Sequence, residues 1–165
     1  SQIGALNPLM VMGLIPLCSF WLYPMVEKIF HTTFTPLKKM ASGMFIAAFS
    51  FVIIAVFQYL LDSGMKLSVA WQFVPYLIIT VAEVFISITG LEFAYTQAPK
   101  TMKSTIMSFW LLTVALGNQI TAIIAEINIF SGTMFFVFFA VLMLVMAFVF
   151  AYLVRGYKVV DYMNA

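Results

Sequence analysis

The sequence predicts an all-α membrane protein with five transmembrane helices, and three observations carry that reading. The chain is 64% hydrophobic and 8% charged, with a mean hydropathy of +1.09, well outside the range of water-soluble domains. Its few charges, from Glu27 and Lys28 through Lys38, Lys39, Asp62, Lys66, Glu83, Glu92, Lys100, Lys103 and Glu126 to Arg155, Lys158 and Asp161, leave intervals of bilayer-spanning length. A helix needs roughly 20 mainly apolar residues to cross. Runs such as FFVFFAVLMLVMAFVFAYLV are apolar on every face, whereas barrel strands alternate over roughly ten residues.

The spans fall at about 5–25, 41–61, 69–95, 105–125 and 133–154. Span one carries Pro8, Pro16 and Pro24; a mid-helix proline removes a backbone hydrogen bond and invites a kink. Span two has Gly43, Ala47 and Ser50 at spacings of four and three, the small-residue pattern of close helix packing in lipid. DSGMK is a short polar turn. Span three starts near Trp71, a side chain suited to the interface, and contains Pro75 as an expected kink. TQAPKTMK ends it, because proline disfavours helix for the residue before it. Span four, STIMSFWLLTVALGNQITAIIA, has a polar patch at Gly117, Asn118 and Gln119, expected to bond a neighbouring helix. Span five is uninterrupted hydrocarbon.

Every basic residue except Lys66 falls in the link between spans one and two, the link between three and four, or the tail after five. Five crossings put these regions on one side, and the positive-inside rule makes that side cytoplasmic. The N-terminus is expected outside and the C-terminus inside. Ser1 begins almost at a span without initiator methionine or signal peptide, so the chain is expected to be the C-terminal part of something larger. The formal charge of +2 follows from topology and implies no nucleic-acid partner. Cys18 is the single cysteine and His31 the single histidine, which leaves no ligand cluster for a metal. Nucleotide-binding glycine motifs are absent, and nothing supports catalysis, so no enzyme is expected.

Glu83 stands out in the middle of span three. An ionisable group near the bilayer centre costs about 3 kcal/mol on insertion scales, so such residues usually face a cavity or a partner. Gln72, Tyr76, Thr80, Glu83, Ser87 and Gly90 follow at spacings of three and four, which places them on one side of a regular helix. No span offers a lysine or arginine at that depth, so a cation has to come from a proton, a substrate or another part of the protein. The alternative is a neutral carboxylic acid hydrogen-bonded to a neighbouring helix. Asn7, before a proline, and Trp110, a few residues inside span four, each read as structural when taken alone. Glu92 is placed to pair with a nearby lysine, and Glu126 is interfacial.

LNPLMVMGLIPL, PLKKMASGM, and above all AEVFISITGLEFAYTQAP followed by MKSTIMSFWLLTVALGN resemble the proton-coupled oligopeptide transporters, the peptide transporter family of the major facilitator superfamily. The resemblance covers essentially the whole chain, in order, and looks like a bacterial, inner-membrane member. It implies a twelve-helix fold in which the five spans correspond to helices eight to twelve, completed by an N-terminal helical bundle.

It also implies a di- or tripeptide substrate, a proton as coupling ion and no other cofactor. By the same resemblance Glu83 receives the peptide amino terminus, Asn7 hydrogen-bonds near that end, Trp110 lines the central cavity, and Ser87 lies on the wall one turn from Glu83. The E-x-x-E-R motif of the family's first helix is absent here. Two other readings remain open: a same-fold transporter of another substrate such as nitrate, and a non-transporting membrane anchor or scaffold subunit.

Overall fold

Local chemistry marks most of the helix boundaries. The computed structural model describes residues 2–17, 20, 24, 28, 35–66, 68–127, 130 and 132–157, with the backbone alone for residues 2–9 and 69. Helix α1 is Gln2–Leu17 and continues as α-helix through Pro8 and Pro16. Of the remainder of span one, only Phe20 and Pro24 belong to the described residues, and His31 lies outside them.

Helix α2, Pro36–Asp62, opens with proline in its first turn after an extended Thr35, where the missing N–H is no loss and the fixed φ suits a helix. It closes on Gly64 at φ +83°. The Gly64 N–H donates to the Leu61 carbonyl at 2.9 Å and the Met65 N–H to the Leu60 carbonyl at 3.1 Å, a glycine-terminated helix end. The polar turn expected at DSGMK is this one.

Ser68 starts the return, its hydroxyl accepting from the Ala70 N–H at 3.4 Å. A 3₁₀ turn, Val69–Gln72, leads into helix α3, Phe73–Glu83; a π-helical turn, Val84–Ile88, follows, then helix α4, Thr89–Thr96. Together they form one continuous rod, Ala70–Thr96, of membrane-crossing length. Pro75 lies in the first turn of α3, directly after the 3₁₀ turn, where proline is tolerated, and a second irregularity, the π turn, follows two turns later.

Helix α5, Lys103–Ile127, follows a turn closed by Met102 N–H to the Pro99 carbonyl at 2.9 Å. Lys103 Nζ sits 4.1 Å from the centroid of the Tyr95 ring across this turn. Helix α6 is Thr133–Gly156. Helices α2, α5 and α6 and the α3–α4 rod are all long and apolar enough to cross a membrane, matching spans two to five. Among the described residues the ordered elements are helical.

Packing is centred on α2. One face meets α6, with Phe45 edge-on to Phe148 at 5.2 Å between ring centroids. The other meets the α3–α4 rod through the small residues singled out above: Gly43, Ala47 and Ser50 are all buried. A Cβ on Gly43 would lie 2.7 Å from Phe85 Cβ and 3.2 Å from the Ala82 carbonyl oxygen, so the helices approach almost backbone to backbone. Ser50 Oγ donates to the Pro75 carbonyl at 2.8 Å.

Val84 and Phe85, both 2% exposed, form a core with Val11, Leu14 and Ile15 of α1 and with Val81 and Ile88. The remaining surface is rich in exposed Phe, Leu and Val, such as Phe109, Leu111, Val141 and Phe148, as a lipid-facing exterior requires.

The two ends of the bundle are distinct. At one, Pro36 and Lys39 share a cavity wall with Thr96, and Phe93 meets Tyr157 edge to face at 5.9 Å; this is the basic end. At the other, Asp62 Oδ2 accepts a 2.8 Å hydrogen bond from Thr133 Oγ1, joining the end of α2 to the start of α6.

Candidate functional site

Glu83 is the last residue of α3 and is exposed; Ser87, within the π turn, is exposed as well. Burial of Val84 and Phe85 against α1 and α2 fixes the rotation of the rod. The π turn then inserts a residue beyond the α-helical count, so a three-and-four spacing no longer marks a single face across it.

The predicted stripe is divided both before that turn and across it. Gln72 and Tyr76 line a cavity of about 280 Å³ shared with Ile54 and Phe57 of α2 and Phe136 of α6. Thr80 is fully buried, its hydroxyl donating to the Tyr76 carbonyl at 2.8 Å. Glu83 and Ser87 stay open, and Gly90 is buried. Six residues expected on one side of a regular helix therefore serve three environments.

Trp110 is half-buried, on the first turns of α5, and its indole lies over Gly90. A Cβ on Gly90 would run into Trp110 Cη2, lie 3.0 Å from Cζ2, and meet the Met40 methyl at 3.1 Å. Helix α5 has no buried residue. Gly117, Asn118 and Gln119, expected to bond a neighbouring helix, are all exposed. The Gly117 carbonyl accepts at 2.9 Å from Thr121 of the same helix, the ordinary back-bond of a helical threonine.

Asn7 lies in α1, four residues before Val11, which packs on the π turn, but its side chain is outside the described part of the structure. Thus Glu83, Ser87 and Gly90 share one rod, Trp110 is brought to that rod from α5, and α1 packs on its buried side.

A second cavity, about 180 Å³, opens at the basic end between α1, α2 and α4. Lys39 and Glu92 both line it, with Thr89 and Thr96, so the acid expected near a lysine does share a wall with one. No group of three potential metal ligands occurs among the described residues.

Comparison with known proteins places this arrangement. The profile of the POT family (PTR2) matches residues 1–129. Solute carrier family 15 member 2 of Rattus norvegicus is 46% identical over 92 residues, 56% of this chain and 13% of its own length. Peptide transporter family 1 of Drosophila melanogaster is 44% identical over 95 residues, 57% of this chain and 13% of its length. The chain thus spans a small part of these relatives.

Among solved structures, an auto-inhibited POT family peptide transporter superposes on 98% of this chain and 34% of its own, with TM-score 0.86 and 35% identity. The POT family transporter PepTSo does so on 95% of this chain and 34% of its own, with TM-score 0.80 and 43% identity.

Proposed function

The chain belongs to the POT family, and on that footing we propose that it is the C-terminal part of a proton-coupled di- and tripeptide symporter that works by alternating access. In this reading the spans are helices eight to twelve of a twelve-helix major facilitator fold. An N-terminal bundle supplies the opposite wall, the proton motif and the groups that hold the peptide carboxylate. The basic end faces the cytoplasm of a cell whose inner membrane holds the protein.

The observation that carries the reading is an exposed carboxylate, Glu83, on a rod of membrane-crossing length. A zwitterionic peptide needs a negative pole for its ammonium group. At about 4 Å and an effective dielectric near 20 such a pair is worth roughly 4 kcal/mol before desolvation, comparable to the insertion cost of the acid. Glu83 then needs to be stable only together with ligand, proton or the facing bundle. Because the peptide's termini carry its charge, varied side chains are accommodated.

Ser87 lies one turn away on the same exposed side, Trp110 supplies an aromatic surface from α5, and Asn7 hydrogen-bonds near the amino terminus. The site sits near the midplane between bundles that rock about it. Relatives named as peptide transporters in two independent comparisons support the substrate class.

The test is dipeptide uptake into liposomes driven by a pH gradient, comparing wild type with Glu83→Gln in the whole protein at matched incorporation. Loss of uptake with retained folding is the expected result. Unchanged uptake would make the carboxylate structural and sink this reading.

A further inference from the structure

We infer that Gly90 is a positioning residue for substrate binding: it provides the seat that fixes the Trp110 indole, and it acts on the peptide only through that ring. The inference rests on the proposed role of Trp110 in the binding cavity and adds a residue to which that reading gives no function of its own.

Three observations converge on Gly90. It is buried, and its backbone is ordinary helix, so conformational freedom is not what a glycine supplies there. A methyl group at this position would collide with Trp110 Cη2 and crowd Cζ2 at 3.0 Å. The Met40 methyl, 3.1 Å from the same point, closes the seat from α2, so the indole has no slack on that side.

Helix α5 gives the ring little other help, since none of its residues is buried and its packing within the bundle is chiefly against α4. Gly90 also belongs to the rod that carries Glu83. The seat therefore fixes where the aromatic surface stands relative to the carboxylate. A displacement of about 1 Å at a binding group costs as much as 100-fold in rate when the geometry is demanding.

The test is a double-mutant cycle on the whole protein in liposomes, with dialanine and a phenylalanine-containing dipeptide as substrates: wild type, G90A, W110F and G90A/W110F. The inference requires G90A to raise KM roughly tenfold at matched incorporation, with kcat changed less than KM. In the W110F background, where the ring is smaller and no longer fills the seat, the same G90A change shifts KM less than twofold.

An equal shift of KM in both backgrounds would overturn the inference, because Gly90 would then act on substrate without Trp110. No shift in either background would overturn it as well. Should G90A fail to fold, Met40→Ala carries the cycle instead, since it opens the same seat without adding atoms. A rise in KM that vanishes in W110F supports the inference, and a rise independent of Trp110 ends it. The outcome is separate from that of Glu83→Gln: intact uptake in that variant beside a coupled Gly90–Trp110 cycle would reject the ammonium-binding reading alone.

Discussion

Ser50 of α2 donates its hydroxyl hydrogen to the backbone carbonyl of Pro75, 2.8 Å away, with the Ser50 side chain fully buried between the helices. A side chain of one membrane helix thus bonds directly to the main chain of the next. Ser50→Ala should lower stability by about 1 kcal/mol, read as a fall in unfolding temperature in detergent. A fall no larger than that of an exposed control such as Ser108→Ala would show that the bond contributes nothing.

Close approach at Gly43 leads to a second expectation. Because Phe85 Cβ and the Ala82 carbonyl both belong to a packed rod, neither can retreat as a flexible chain end would. Gly43→Ala should destabilise by about 1–3 kcal/mol, and Gly43→Leu should block assembly of the bundle. Wild-type thermal stability in Gly43→Ala would mean that α2 stands farther from the rod than described.

The Asp62 carboxylate bridges α2 and α6. Gln58 Nε2 donates to Oδ1 at 2.9 Å and Thr133 Oγ1 to Oδ2 at 2.8 Å, while Gly132, at φ +57°, leaves room where a Cβ would come 2.9 Å from Oδ2. A carboxylate at the first turn of α6 also complements the helix dipole there. Asp62→Ala and Thr133→Val should each lower the unfolding temperature, and the double variant should fall by less than their sum. Strict additivity would show that the two groups do not interact.

If Glu83 binds an ammonium group, acetylating the amino terminus of a dipeptide removes the charge it recognises. The blocked dipeptide should compete for uptake at least tenfold more weakly than the free one, a loss of about 1.4 kcal/mol or more. Equal competition by both forms would contradict the assigned use of Glu83 whatever the behaviour of its variants.

Composition and hydropathy made spans two to five legible because each is an unbroken apolar run bounded by charge or proline. The Gly43, Ala47, Ser50 pattern was legible for a similar reason, since small residues at helical spacing carry their packing role in their size. The turn between α2 and the rod was equally plain.

Other features were not legible. Periodicity assumes 3.6 residues per turn, so it ran straight through the π turn and placed Gly90 on one side with Glu83, while Thr80 is buried ahead of that turn by helix packing that spacing alone does not reveal. The pairing of Asp62 with Thr133 joins residues 71 apart in sequence, and nothing local announces it. Trp110 as an aromatic lining the central cavity was an expectation from family resemblance, while its placement against the Glu83 rod, on Gly90, needed coordinates.

The π turn has a consequence for engineering and for divergence. A helix with such a turn holds one residue more than the α-helical ladder would use over the same path, so Val84–Ile88 is a place where the rod can gain or lose a residue at small expense to its ends. Deleting one there and restoring regular α-helix would leave Thr89–Thr96 facing as before, so the carboxylate and the glycine beneath the indole would keep their relation. The same deletion in a regular stretch of the rod would turn everything beyond it by about 100°. A change of length elsewhere becomes rotation; here it is taken up within the turn.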